Sequence, residues 1–399
     1  MIWKHSCSRK SKAILQINPA SVAALTAAAL FVLLSTIEPL LTEVHAERER
    51  SVPLGLPPLP VPPDAPSVAA LGKKLFFERR LSINDTMSCG MCHIEAQAMT
   101  SNDLATSVGM EGKSLRRNAP SLFNVAYEKL LFRDGRENSL ETQAWSPILT
   151  HDEMAAPSVG WALAKLRALP EYSALFEETF PGRGITMETL GAAIAAYERT
   201  LLSGNSRFDR WRYGGEADAL TANEQHGFEL FTGKAGCSSC HQLGAGSALF
   251  TDGKFHDTGL GYATTMGLEP ESFDVRLAAG DITRQHRKDV ASITSPTTND
   301  LGRFEVTRDP KDRWAFKTPG LREVAQTRPY MHDGSLGNLT DVVDYYDKGG
   351  DYSPNKSELI KPLLLSAQEK RDLVSFLESL TGNTAATESA GAYVADRSE

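Results

Sequence analysis

Apolar residues recur at helical spacing through most of the chain. Leu163 to Phe180 and Met187 to Ser203 both carry it, with breaks at Pro170, Pro181 and Gly204. Ala70 to Glu78 (ALGKKLFFE) reads as a short helix, and Thr221-x-x-Glu224 opens another with a capping box. Ser366-x-x-Glu369 opens a last amphipathic helix through Leu373, Val374, Phe376, Leu377 and Leu380, which Gly382 ends. Leu339, Val342, Val343 and Tyr346 fall on one helical face, and Tyr345 points about 100° away. No strong strand alternation stands out. The stretch from Ala245 to Thr318, rich in Gly, Asp and Thr, reads as long loops. The pattern predicts a mainly α fold.

The ends read differently. Lys4, Arg9, Lys10 and Lys12 precede an apolar run from Val22 to Leu34, and Val44-His45-Ala46 resembles a small-x-small cleavage site. Residues 1–46 therefore read as a secretory signal, or as an N-terminal anchor if uncleaved, although Glu38 and Pro39 make a full span uncomfortable. The prediction is a periplasmic protein that meets the membrane only if the anchor stays. Residues 47–66, with six prolines between Pro57 and Pro66, read as an extended linker. Residues 383–399 are small and polar and read as a disordered tail.

At 399 residues the chain can hold two or three domains. A net charge of -8 without a long basic run past the N-terminus argues against nucleic acid as a partner. Four of the five cysteines sit in CGMCH (Cys89–His93) and CSSCH (Cys237–His241). Each pentapeptide reads as a haem c attachment site: Cys89 and Cys92, or Cys237 and Cys240, add to the vinyl groups, and His93 or His241 ligates the iron. A zinc ribbon or a disulfide pair is the competing reading, but a ribbon has no need of a histidine after its second cysteine. Gly72-Lys-Lys-Leu-Phe precedes the first motif and Gly227-Phe-Glu-Leu-Phe the second, a weak internal repeat. Two cytochrome c-like haem domains with long loops follow, over 67–213 and 214–382, with a boundary at Gly214-Gly215.

The sequence between the motifs resembles the bacterial dihaem cytochrome c peroxidase and MauG superfamily, over roughly Ala69 to Thr381. The resemblance rests on RRNAPSLFN (116–124), RDGRENSLETQAWSPI (133–148), HDEM (151–154) and TPGLREVAQTRPYMHDG (318–334). It implies that Glu153 handles the peroxide proton beside the first haem, with Gln143 as its partner; His151 is a further candidate. It also implies a calcium ion between the haems, held by Asn118, Thr327 and Pro329. The family's second histidine ligand to the first haem has no counterpart between His93 and His151, and Met110 near that position is an alternative ligand.

For the second haem, counting from His332 reaches Tyr346 where ordinary peroxidases place a methionine, which resembles the MauG/MbnH branch; Met331 and Met266 are weaker alternatives. The usual tryptophan before DGR is Arg133, and the tryptophan two residues before the second motif is Ala235. Trp145, Trp161, Trp211 and Trp314 remain as relay candidates. The expected activity is reaction with hydrogen peroxide to a high-valent state shared by both haems, followed by oxidation of aromatic residues, above all tryptophan, on a periplasmic partner protein. The alternatives are a cytochrome c peroxidase fed by a small redox protein, and a dihaem electron carrier without peroxide chemistry.

Overall fold

The computed structural model describes residues 52–266, 272–278, 281–286 and 299–382, all within one compact unit that begins at Val52. The expectations for residues 1–46, 47–51 and 383–399 lie outside the described residues. No described helix is long and apolar enough to cross a membrane.

Among the described residues the fold is mainly helical, with two large hydrophobic cores built alike and a small third cluster of Val125, Leu131, Leu140 and Ala195. In the first, α1 (Pro66–Phe76) lies across α6 (Met187–Arg199). Gly72 permits the approach: a Cβ there would sit 1.8 Å from the Ala193 carbonyl oxygen. Around this crossing pack the short helices α2 (Leu140–Gln143) and α3 (Trp145–Leu149), then α4 (Val159–Arg167) and α5 (Pro170–Thr179). The periodic stretch from Leu163 to Phe180 is thus two helices. Pro170 stands in the first turn of α5, where its missing N–H costs nothing.

In the second core, α8 (Ala222–Thr232) crosses α12 (Ala367–Glu378), and Gly227 meets the Asp372 carbonyl as Gly72 meets Ala193. Phe208 from α7 (Arg207–Arg212), Phe231, Phe250 and Phe376 interlock there in edge-on and tilted pairs. α11 (Leu339–Asp347) completes it.

The region from Ala245 to Thr318 carries more order than its composition predicts. β1 (Phe255–His256) pairs antiparallel with β4 (Phe316–Lys317), flanking α9 (Leu260–Thr265) and α10 (Phe304–Thr307). β2 (Ser272–Ala278) and β3 (Asp281–His286) form a hairpin.

The proline-rich stretch is not a free linker from residue 52 onward. The Gly55 carbonyl accepts from the Arg322 guanidinium (2.6 Å) and from the Ala248 N–H (2.9 Å). Leu54 N–H donates to Asn205 Oδ1 at 2.8 Å, and the Tyr127 hydroxyl donates to the Pro57 carbonyl at 2.8 Å. An extended proline-rich backbone has no internal hydrogen bonds, so its polar groups are open to partners on the body of the protein.

Candidate active site

Each CxxCH motif enters on a single tight turn. Cys92 and His93 N–H both donate to the Cys89 carbonyl, at 3.2 and 3.0 Å; Cys240 and His241 repeat this on Cys237, at 3.3 and 2.9 Å. Two thiols and an imidazole are thereby presented together. His93 Nδ1 lies 3.0 Å from the Met99 carbonyl and His241 Nδ1 2.9 Å from that of Phe250. A carbonyl can only accept, so Nδ1 carries the proton and Nε2 keeps its lone pair for a metal. Burial lowers both imidazole pKa values, which favours that neutral form. Phe76 and Phe231 stand at matching places, 6.3 and 6.4 Å from the two imidazoles.

Among the described residues the thiols of one motif do not join those of the other in a metal-ligand cluster, so a zinc ribbon has no site. Unpaired thiols, ligand-ready imidazoles and adjoining cavities fit two covalently bound haems.

A cavity of about 50 Å³ beside the first motif is lined by Gln143 from α2, Pro147 from α3 and Glu153 from the turn that follows, facing Cys89, Cys92 and His93. Burial raises the Glu153 pKa, opposed in part by Arg136, so the carboxyl is biased towards holding a proton. His93 is the one histidine in that lining. His151 is not a neighbour of this chemistry: its side chain is 82% exposed and pairs with Asp152. Met110 packs in the first core and lines neither this cavity nor the larger one.

The sequence reading missed Glu198. It stands on α6 with Leu190 and Ile194, eight and four residues before it, all three buried; its Oε2 has no hydrogen-bond partner, and it lines the same cavity. Burial pushes its pKa up to about 8. A carboxylate on an otherwise apolar stripe was the available signal.

A larger cavity, about 710 Å³, reaches from His93 to Cys237, Cys240 and His241. Leu339, Val342, Val343 and Tyr346, the predicted face of α11, all line it. The Tyr346 hydroxyl makes no hydrogen bond among the described residues, and burial pushes its pKa up. Tyr345 points the other way: its hydroxyl donates to the Thr258 carbonyl (2.9 Å) and accepts from Asp351 N–H (3.2 Å). Met331 lines this cavity, whereas Met266 is 55% exposed at the end of α9. None of Trp145, Trp161, Trp211 and Trp314 lines either cavity, and Trp145 donates Nε1–H to the Met187 carbonyl inside the first core. Ala235 lines the larger one.

Asn118, Thr327 and Pro329 also line the larger cavity, together with Arg133. The donor set does not fit the expected calcium ion. Arg133 Nε donates to the Asn118 carbonyl at 2.9 Å and its terminal nitrogen to Asn118 Oδ1 at 2.7 Å, so a guanidinium already sits on oxygens a dication would need.

A profile of the family described as di-haem cytochrome c peroxidase matches residues 66–218. The chain is 40% identical over 327 residues to the methylamine utilization protein MauG of Methylorubrum extorquens, covering 81% of each. It is 38% identical to the cytochrome-c peroxidase IdrP1 of Pseudomonas sp., covering 82% of this chain and 84% of that one. Among solved structures, a MauG-like protein associated with microbial copper homeostasis superposes with a TM-score of 0.68 at 32% identity, covering 83% of this chain and 95% of the other.

Proposed function

Because the chain belongs to the di-haem cytochrome c peroxidase and MauG family, and is an oxidoreductase acting with hydrogen peroxide, we propose that it holds the two oxidising equivalents of peroxide across both haems. It then spends them on aromatic residues, above all tryptophan, of a periplasmic partner protein. The observation that carries this reading is Tyr346. Its ring shares a cavity with His241, its hydroxyl is unclaimed, and burial keeps it protonated unless a cation stands beside it. Haem iron is such a cation, and tyrosinate is a hard, anionic donor that favours oxidised iron, whereas methionine favours the reduced state.

At the first site burial raises the Glu153 pKa, which makes its carboxylate a stronger base: in that form it takes the proton from one peroxide oxygen and then returns it to the departing one, and Gln143 stands beside it in the lining. The iron supplies the redox chemistry.

The test is EPR of the diferric protein before and after one equivalent of peroxide, with no reductant present. Simultaneous loss of both ferric signals supports the reading. A reaction that waits for prior reduction of one haem sinks it in favour of a peroxidase supplied by a small redox protein. Glu153→Gln is expected to lose peroxide reactivity on the order of a hundredfold or more. Unchanged reactivity would remove Glu153 as the acid–base of the reaction.

A further inference from the structure

Arg133 stands where the resemblance places a tryptophan before DGR, and its surroundings are unusual for a half-buried cation. Its backbone is fixed because its carbonyl accepts from Lys317 N–H at 2.8 Å. Its side chain is fixed by the two bonds to Asn118. Asn118 is itself immobilised: its N–H donates to the His332 carbonyl (2.8 Å) and its Nδ2 to the Ala105 carbonyl (3.0 Å), so Oδ1 must face the guanidinium.

No carboxylate stands within ion-pair range of Arg133 among the described residues. Neighbouring Arg117 has taken Asp134 (2.6 Å) and Asp300 (2.6 Å), while Asp333 and Glu128 act on Arg133 only at a distance. Burial, with repulsion from Arg117 beside it, pulls the Arg133 pKa down to about 10, still far above neutrality. Arg133 lines the same cavity as Thr327 and Pro329.

A half-buried cation with no carboxylate beside it, on the wall of a cavity, favours an anion there and repels a second cation. We propose that the Arg133 guanidinium replaces calcium as the cation between the two haem sites, and that it takes a haem propionate as counter-ion. Calcium needs six to eight oxygen ligands. Here two of the candidate oxygens are spent on N–H donors, and a dication would have to share the site with a fixed positive charge. The inference rests on two haems filling the cavity, not on which molecule the enzyme oxidises.

The experiment uses the holoprotein with both haems verified by its pyridine haemochrome. Calcium is counted by elemental analysis after dialysis against calcium chloride, and calcium binding is measured by titration calorimetry. Much less than one calcium per chain, with EPR and visible spectra unmoved by EDTA, is expected. One tightly held calcium per chain overturns the proposal. That measurement needs no variant, so it stands if substitution harms haem loading.

The counter-ion is tested by the reduction potentials of Arg133→Gln and Arg133→Lys, measured with EDTA present. Loss of a positive charge beside a haem favours its more positive, ferric form, so Arg133→Gln should lower at least one potential. Arg133→Lys should keep both near the wild-type values. Potentials unmoved in Arg133→Gln would overturn the pairing, as would a fall in Arg133→Lys equal to that in Arg133→Gln.

Discussion

Two carboxyls, Glu153 half-buried and Glu198 buried, share the first cavity, and they were not equally legible. Glu153 stood out through HDEM, but so did His151 in the same tetrapeptide, and the structure sends that imidazole into solvent. Adjacency in sequence says little about direction when a chain leaves a turn. Glu198 was readable only as one polar residue on the Leu190–Ile194 stripe, the kind of exception that signals a cavity. Its titration makes a sign prediction. The folded state holds the Glu198 proton up to about pH 8, against an ordinary glutamate value of 4.5. The stabilisation is therefore complete below pH 4.5 and is lost as pH rises to about 8. At about 1.4 kcal/mol per pH unit, the total is on the order of a few kcal/mol. Thermal melts of the holoprotein should show Tm falling across that window. Glu198→Gln should flatten the slope, and an unaltered slope would locate the titration elsewhere.

At the scale of elements, the weak repeat GKKLF/GFELF is a structural repeat. Each glycine lets one helix cross another at carbonyl contact, and each Phe that closes the pentapeptide stands beside the histidine of a CxxCH motif. Gly72→Ala and Gly227→Ala should each cost about 1–3 kcal/mol, the usual scale for overpacking, because the opposing atom is backbone and cannot rotate away. Denaturant melts of the two variants check this. On α11 the split between neighbours is sharper. Tyr345→Phe loses two hydrogen bonds and should cost about 1–3 kcal/mol with the haem spectra unchanged. Tyr346→Phe should alter the spectra of the second haem and leave stability nearly as it was. The reverse assignment of effects would refute Tyr346 as the ligand. Helices were readable because their faces repeat over ten or more residues. The β2–β3 hairpin was not, although Phe273, Val275 and Leu277 alternate, because seven residues amid Gly and Asp are too short to outweigh a loop composition.

At the scale of the whole molecule, the segment entering from Val52 is tied to groups far along the chain. Arg322 and Asp209 form a buried, bidentate pair at 2.7 and 2.9 Å; Asp209 also accepts from Ser206 N–H, capping α7, while Arg322 holds the Gly55 carbonyl. Asn205 and Tyr127 hold the flanking residues, so one polar centre joins the entry segment, the start of the second core and the TPGLREV loop. None of this was visible in sequence, because a proline-rich composition reports only that a segment cannot make its own hydrogen bonds, not whether another part of the chain makes them instead. The arrangement has a measurable consequence. Arg322→Met leaves Asp209 buried without its partner, and breaking such a pair costs about 3–5 kcal/mol. It also removes one of the two donors to the Gly55 carbonyl, leaving the Ala248 N–H, so limited proteolysis should cut within residues 52–64 faster than in the wild type. Asn205→Ala removes one hydrogen bond to Leu54 and should cost about 1 kcal/mol, with slower cutting. If Arg322→Met lowers Tm but the segment stays as resistant as in the wild type, the flanking contacts alone hold it, and the buried pair serves the core rather than the tether.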